Sequence, residues 1–262
     1  MKKLFAMLLA VLMIASLAAC GETAAPAGTT APAATETTGE ATEAAEATGE
    51  ATEATGAAEV ALMTYEEFMA AEADAAVCIE TYVQATRTWW NNTICVYAQG
   101  PDGGYFMYDM ACAEADAAKL VPGTKIRVTG DKAIYDGEVE IMNATFTFVE
   151  GADTFVAEPL DATELLGTDE LETHMNKLAS FKGLTIKKVE YKNGEPGDDI
   201  YVTVAKGDAE YSFCVEVYLT GTDSEVYKTV GTLVEGDVVD VEGFLYWYNG
   251  VNTHITAIAK AA

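Results

Sequence analysis

Basic residues are scarce in this sequence. Only 15 of its 262 residues are lysine or arginine, whereas 42 are aspartate or glutamate, and the formal net charge is −27. The imbalance is general, since residues 76–150 carry 10 acidic and 5 basic side chains and residues 171–262 carry 14 and 8. A nucleic-acid binder needs a basic track that releases counterions from phosphate. The charge therefore disfavours nucleic acid as a partner.

The residues and motifs of catalysis are also sparse. The two histidines, His174 and His254, fall in different predicted elements. The sequence contains no nucleophile elbow, zinc-protease, P-loop, dinucleotide-binding or EF-hand motif. Paired acids such as Asp198 and Asp199 lie in a turn-rich loop, where solvent exposure accounts for them. We expect no enzyme activity, no cofactor and no metal site, and an enzyme with clustered carboxylates and a bound cation remains the alternative.

Cysteine is infrequent and shows no ligand spacing. Beyond Cys20, the chain has Cys78, Cys95, Cys112 and Cys214, without any C-x-x-C pair. A hairpin turn at residues 89–92 would leave Cys95 far from Cys78, whereas the α-carbons of a disulfide approach within about 7 Å. We expect thiols that pack as small apolar side chains.

Long apolar runs are missing except near the first residue. Lys2 and Lys3 precede a wholly apolar stretch over residues 4–15, a pattern typical of an export signal and too short for a membrane span. Residues 17–20, "LAAC", resemble the lipobox of bacterial lipoproteins. The resemblance implies a signal peptide over residues 1–19, a palmitate-type lipid on Cys20 and an extracytoplasmic, membrane-anchored location on a bacterial cell surface. An ordinary signal peptide with an incidental cysteine is the alternative.

Residues 20–59 are predicted to be a disordered tether. Residues 21–59 are mainly Ala, Thr, Gly and Glu, with eight glutamates, two prolines and no aromatic residue. Such a composition buries too little apolar surface to offset the entropy lost on folding. Repulsion between like charges extends the chain. The segment would hold the folded part away from the membrane.

Residues 60–150 show the pattern of a small β-barrel. Thr64 and Glu67 match the capping box of a short helix. Alternating apolar and polar residues then predict a strand from Val77, and "TICVYAQ", "YFMYDM", "TKIRVTGDKAIY" and "EVEIMNATFTFVEG" predict four more, with a short helix over "ACAEADAAKL". Three strands, a helix and two strands are the order of an OB-fold, a five-stranded Greek-key barrel.

Residues 168–262 repeat this order after a linker over residues 151–167. We expect a helix capped by Thr168, a strand over "EYSFCVEVYLT" and a helix with a capping box of Thr222 and Glu225. Identical residues recur 113 positions apart at turns and core positions: Leu120/Leu233, Val121/Val234, Gly123/Gly236, Val128/Val241, Gly130/Gly243, Tyr135/Tyr248 and Gly137/Gly250. The predicted fold class is all-β with short helices, as two tandem OB-fold-like barrels, and one larger sandwich is the alternative.

The arrangement resembles lipoproteins of Gram-positive gut bacteria that carry tandem OB-fold-like domains behind a tether rich in Thr, Ala and Glu. The resemblance covers Cys20 and residues 64–262. It is carried by the lipobox, by "VQATRTWWNNTICVYAQGPDGGYFMY" and by "PGTKIRVTG" at the start of strand four. It implies an OB-like fold and a cell-surface location, and it brings no catalytic residues with it.

Aromatic residues at predicted loops are the candidate ligand contacts. OB-folds bind oligonucleotides and oligosaccharides through strands two and three and through the loops after strands one and four. Flat rings stack on bases and also cover the apolar faces of sugars. The predicted ligand-binding residues are Trp89, Trp90, Tyr105, Tyr108, Tyr135, Tyr246, Trp247 and Tyr248. Packing in the core or between the barrels is the alternative role for these rings.

The sequence therefore favours a cell-surface lipoprotein that acts as a non-enzymatic binding module. A saccharide or another ligand of the cell envelope is the preferred partner besides the membrane. One alternative is a structural spacer or assembly subunit that packs against an envelope protein. A second is a binder of single-stranded nucleic acid.

Overall fold

The computed structural model of this protein describes residues 60–261. The predicted signal peptide, the predicted lipidation site Cys20 and the predicted tether lie outside the described residues. Within residues 60–261, no helix is both long and apolar enough to cross a membrane.

The first barrel is closed by five strands in the order β1-β2-β3-β5-β4, with β4 pairing back to β1. Neighbours are antiparallel except β3 and β5, which run parallel. This is the Greek-key order predicted for an OB-fold. The elements are α1 (Tyr65–Ala70), β1 (Ala76–Thr86), β2 (Thr93–Gln99), β3 (Gly104–Ala111), α2 (Glu114–Ala117), β4 (Lys125–Tyr135) and β5 (Glu138–Phe148).

The second barrel repeats the topology. Its strands follow the order β7-β8-β9-β11-β10, β10 pairs with β7 to close the barrel, and β9 and β11 run parallel. A short strand, β6, pairs in parallel with the start of β7. The elements are β6 (Leu160–Asp161), a 3-10 helix (Asp169–His174), β7 (Leu178–Tyr191), β8 (Ile200–Lys206), β9 (Ala209–Val215), α3 (Val217–Thr220), α4 (Glu225–Val230), β10 (Val238–Phe244) and β11 (His254–Lys260).

The repeated glycines occupy equivalent backbone positions. Gly123 and Gly236 both have φ of +90°, a conformation that favours glycine, where the chain enters the fourth strand of each barrel. At Gly130 a Cβ atom would meet the carbonyl oxygen of Met142 on β5, and at Gly243 it would meet that of His254 on β11. A side chain at either site would separate the fourth strand from the fifth. The repeat therefore reflects a shared bend of two similar barrels, which excludes the single sandwich.

Each barrel encloses its own apolar core. The inward residues of β1 alternate as predicted, with Val77, Ile79 and Val83 fully buried. The core of the second barrel is centred on a pair of rings, Phe181 and Phe213, whose centroids are 5.3 Å apart. The capping box of Thr64 and Glu67 forms as predicted and starts α1, which buries Phe68.

Three local predictions in the second barrel are wrong. Residues 169–174 form a 3-10 helix, and the Thr168 hydroxyl donates to the Leu165 carbonyl rather than capping it. The last part of the predicted strand over residues 210–220 is α3, because Asp199 accepts the Val217 N–H and ends the ladder. The cap of α4 is Ser224, whose hydroxyl accepts the Tyr227 N–H, so Glu225 is the first helical residue and no box with Thr222 forms.

The segment predicted as a linker is attached to both barrels. Gln84 donates to the carbonyl of Phe155 and accepts from the N–H of Ala157, at 3.1 and 2.9 Å. The Phe155 ring packs on Tyr82 of β1. Further on, β6 adds to the second barrel. Residues 151–167 therefore connect the barrels along their surfaces.

Candidate functional site

The outward face of β2 and β3 in the first barrel is covered by the second barrel. Cys95, Tyr97 and Phe106 alternate with the inward core residues and are buried in a cluster with Phe244 of β10. The Tyr97 ring stacks on Phe244 with centroids 4.7 Å apart. In an OB-fold this face is the usual ligand-binding surface. In the first barrel it serves to join the two barrels.

A buried polar contact fixes this junction. The Tyr97 hydroxyl and His254 Nδ1 share a hydrogen bond of 2.6 Å, and the His254 ring stacks on Tyr246 at 4.2 Å. Complete burial, aided by nearby Arg87, holds the pKa of His254 well below its usual value. The imidazole is therefore neutral at neutral pH and acts as a packing and hydrogen-bonding group.

The turn between β4 and β5 meets its counterpart between β10 and β11. The backbone carbonyl of Asp136 accepts the Asn249 N–H at 2.8 Å, and the buried Glu138 carboxyl group accepts the Trp247 N–H at 2.8 Å. Burial raises the pKa of Glu138 to about 8. Tyr135 packs on Tyr248 beside this contact. The two barrels are thus joined at both a strand face and a pair of turns.

The corresponding face of the second barrel is open and forms a cleft of about 560 Å³. Its floor comes from the outward residues of β8 and β9, where Tyr201 lies opposite Cys214. The loops after β7 and β10 supply its walls, as in an OB-fold binding site. The volume falls within the range of small-molecule sites, roughly 300–1,000 Å³. The cleft is lined by Arg87, Lys192, Asp199, Tyr201, Ser212, Cys214, Glu216, Tyr218, Tyr246, Tyr248, Asn252 and His254.

Arg87 is the one residue of the first barrel that lines this cleft. Its Nε lies 2.9 Å from Glu216 Oε2, and its guanidinium lies over the ring of Phe106 at 5.4 Å from the centroid. Burial opposes its charge, but Tyr97 and Glu216 together raise the pKa of Arg87 above its usual value. The guanidinium is therefore charged and held in one place, as a group that recognises a ligand should be.

The charges of the cleft are balanced in pairs. Arg87 is matched by Glu216, and Lys192 lies 3.0 Å from Asp199. Contacts with Asp199 and Asp198 raise the pKa of Lys192 and outweigh its partial burial. Because each cation already has an acidic partner, the cleft offers no net positive charge to a ligand.

The one thiol in the cleft lining, Cys214, is not activated as a nucleophile. Burial raises the pKa of the Cys214 thiol, with Asp199 and Glu216 adding to the shift, so the thiolate is disfavoured. The described part of the chain also contains no group of three or more His, Cys, Asp or Glu residues placed to hold a metal ion. Cys78, Cys95, Cys112 and Cys214 are all buried, and Cys95, Cys112 and Cys214 form no disulfide within residues 60–261.

The predicted ligand-binding aromatics separate into three groups. Tyr246 and Tyr248 line the cleft. Tyr105 and Trp247 are buried in the barrel cores, 2% and 8% exposed, which matches the alternative role of core packing. The others lie around the first barrel: Trp89 is partly buried, Tyr108 and Tyr135 are partly exposed, and Trp90 is 78% exposed.

Several residues of the cleft were not singled out from the sequence, among them Tyr201, Tyr218 and Arg87. Tyr201 occupies an outward position of β8, Tyr218 lies on α3 within a predicted strand, and Arg87 follows β1. The alternation of β8 gave a signal for Tyr201, because its inward neighbours Ile200 and Val202 are apolar. Arg87 had no such signal, since its role depends on the docking of the two barrels.

No protein-family model and no curated protein matches the sequence. Solved structures of remote similarity include a murine DNA-binding protein bound with double-stranded DNA, at 11% identity and a TM-score of 0.35, covering 71% of this chain and 96% of that one. The Ifi202 HINa domain in complex with double-stranded DNA is 12% identical with a TM-score of 0.33, and the match covers 69% of this chain and 94% of that one. A Replication Protein A heterotrimer bound to single-stranded DNA is 12% identical with a TM-score of 0.27, and the match covers 71% of this chain and 49% of that one. Similarity this remote carries no argument about what the present chain binds.

Proposed function

We propose that this protein is a non-enzymatic binding module whose ligand is a neutral saccharide held in the cleft of the second barrel. The supporting observation is the difference between the two barrels. The β2–β3 face of the first is buried against its neighbour, whereas the β8–β9 face of the second is open, lined by tyrosines and completed by Arg87.

The chemistry of the lining favours a sugar. Tyr201, Tyr218, Tyr246 and Tyr248 offer ring faces for the apolar C–H surfaces of a sugar, and they lie beside hydroxyl, amide and charged groups that exchange hydrogen bonds with its hydroxyls. Asn252 Oδ1 is buried beside the cleft without a hydrogen-bond partner in the described structure. A donor from the ligand would satisfy it.

Nucleic acid is the competing ligand, and two considerations count against it. Residues 60–262 carry 34 acidic and 13 basic side chains. The two cations of the cleft are also already paired with acids. A polyanion would lose more by repulsion than it gained from stacking. Because some remotely similar structures contain DNA, a direct comparison is nevertheless part of the test.

Titration calorimetry tests the proposal. We expect heat of binding from at least one of three neutral series, the oligomers of N-acetylglucosamine, of β-1,4-linked glucose and of α-1,4-linked glucose, and none from oligothymidylate. Tyr246→Ala should weaken binding about tenfold or more, since a buried stacking contact contributes on the order of 1–2 kcal/mol. Tyr82→Ala, which removes a ring near the linker, is the matched control. Absence of binding to all three series, or equal affinity in wild type and Tyr246→Ala, would reject the saccharide site.

We also propose that the protein is anchored to the outer face of the bacterial membrane through Cys20. The support is the sequence "LAAC" after a basic and apolar leader. Metabolic labelling with an alkyne analogue of palmitate should tag the wild type and not Cys20→Ser. Equal labelling of both proteins would exclude lipidation at this position.

A further inference from the structure

We infer that the site is built for an extended chain, and that the cleft holds internal sugars of a neutral oligosaccharide while Trp90 contacts a sugar beyond its rim. This inference rests on the proposed function. It adds the length of the ligand and a second contact region, on the turn between β1 and β2.

One rim of the cleft continues onto the first barrel. Tyr218 lines the cleft and is 61% exposed. Its carbonyl oxygen accepts hydrogen bonds from the N–H and the hydroxyl of Thr88, at 2.6 and 3.2 Å. Thr88 lies two residues before Trp90, the most exposed large apolar side chain in the described structure. Aromatic surface therefore extends from the cleft onto the turn of the first barrel.

A second edge of the cleft also carries exposed rings. Tyr248 lines the cleft and packs on Tyr135 of the first barrel. Both side chains are about half exposed. Aromatic surface therefore continues from the cleft onto the first barrel at Tyr135 as well.

The Trp90 ring is presented by a fixed turn. Trp90 and Thr93 exchange backbone hydrogen bonds of 3.0 and 2.9 Å around Asn91 and Asn92, whose φ angles are +50° and +63°. This is the geometry of a tight two-residue hairpin loop. The preceding ring, Trp89, is tied down by a 2.9 Å hydrogen bond from its Nε1 to the Cys112 carbonyl. A rigid support lowers the entropy lost when a ligand stacks on Trp90.

The charges of the cleft lining favour a neutral chain. Arg87 and Lys192, the cations of the cleft, are paired with Glu216 and Asp199. The cleft therefore offers no free positive charge to an anionic chain such as a nucleic acid. Stacking on exposed rings requires no charge.

The test is a length series of the oligosaccharide that gives the strongest heat under the proposed function. We expect the hexasaccharide to bind at least about tenfold more tightly than the disaccharide, because only the longer chain reaches Trp90. Trp90→Ala should weaken the hexasaccharide about tenfold and leave the disaccharide unchanged. Trp90→Phe should retain most of the affinity. Val121→Ala, which truncates an exposed apolar side chain away from the cleft, should change neither.

The outcomes separate the two proposals. Equal affinity for the disaccharide and the hexasaccharide, or a Trp90→Ala effect that is absent or the same for both, would overturn the extended site and leave the cleft as a site for a short sugar. Absence of binding to every saccharide would overturn both proposals. If oligothymidylate binds and Trp90→Ala weakens that binding, the cleft and Trp90 form a site for single-stranded nucleic acid. That result would overturn the saccharide assignment.

Discussion

Tyr135 and Tyr248 are equivalent positions of the two repeats, and their rings lie in contact, with centroids 6.2 Å apart. Tyr135 is the last residue of β4, and Tyr248 lies in the turn between β10 and β11. The internal duplication therefore supplies both sides of one interdomain contact. Because Tyr248 also lines the cleft, the contact fixes one rim of the proposed site.

The coupling between these rings can be measured. Aromatic pairs contribute about 0.5–1.5 kcal/mol beyond the area that they bury. Tyr135→Ala and Tyr248→Ala should each lower the free energy of unfolding. The loss in the double variant should be smaller than the sum of the two single losses by about 0.5–1.5 kcal/mol. Urea denaturation gives all three values. Tyr135→Ala combined with Tyr191→Ala is the control, and its effects should add. Additive effects at Tyr135 and Tyr248 would show that the rings do not stabilise the junction.

Glu138 should make the stability of the protein depend on pH. Its carboxyl is buried between the barrels, and burial raises its pKa from the usual value of 4.5 to about 8. The folded state therefore keeps this proton after the unfolded state has lost it. The contribution of Glu138 to stability is greatest below pH 4.5, falls as the pH rises to about 8, and then stays low.

Glu138→Gln should remove this dependence. The amide oxygen can still accept the Trp247 N–H, and no charge is buried at high pH. Chemical denaturation should show little change near pH 4.5 and a gain on the order of a few kcal/mol at pH 9. Glu66→Gln, at an exposed position of α1, is the control. A variant that is no more stable than wild type at pH 9 would contradict the burial of a protonated carboxyl.

The cap of α4 gives a test of a local correction. Ser224 accepts the Tyr227 N–H, whereas the box predicted for Thr222 and Glu225 does not form. Ser224→Ala should lower the free energy of unfolding by about 1 kcal/mol, and Thr222→Ala should have a much smaller effect. Thermal unfolding of both variants measures the difference. A larger loss of stability in Thr222→Ala than in Ser224→Ala would show that Thr222 caps the helix, as the sequence predicted.

The sequence was sufficient to predict the barrels because their signals are local. Alternation of side chains marked the start of β1 to within one residue and both ends of β2, and the glycine-containing turns marked the hairpins. The paired glycines Gly130 and Gly243 indicated the positions where the fourth strand of each barrel passes close to the fifth. Capping was less predictable, because several hydroxyl residues near α4 compete to start the same helix.

The site was only partly predictable because docking between the barrels decides it. The pattern "LYWY" suggested three loop aromatics, yet the turn directs Trp247 into the core and Tyr246 and Tyr248 into the cleft. Period-two alternation across the turn accounts for this division. Nothing local distinguishes the β2–β3 face, which is covered, from the β8–β9 face, which is open. Arg87 belongs to the site only through this arrangement.

Hydrogen–deuterium exchange with bound oligosaccharide tests the central claim most directly. If the ligand occupies the open face of the second barrel, protection should rise in peptides covering β8, β9 and residues 246–252, and in the turn that contains Trp90 when the ligand is long. Peptides covering residues 119–125 of the first barrel, which do not line the cleft, should be unaffected. Protection confined to the first barrel, or none in β8 and β9 at saturating ligand, would contradict the account.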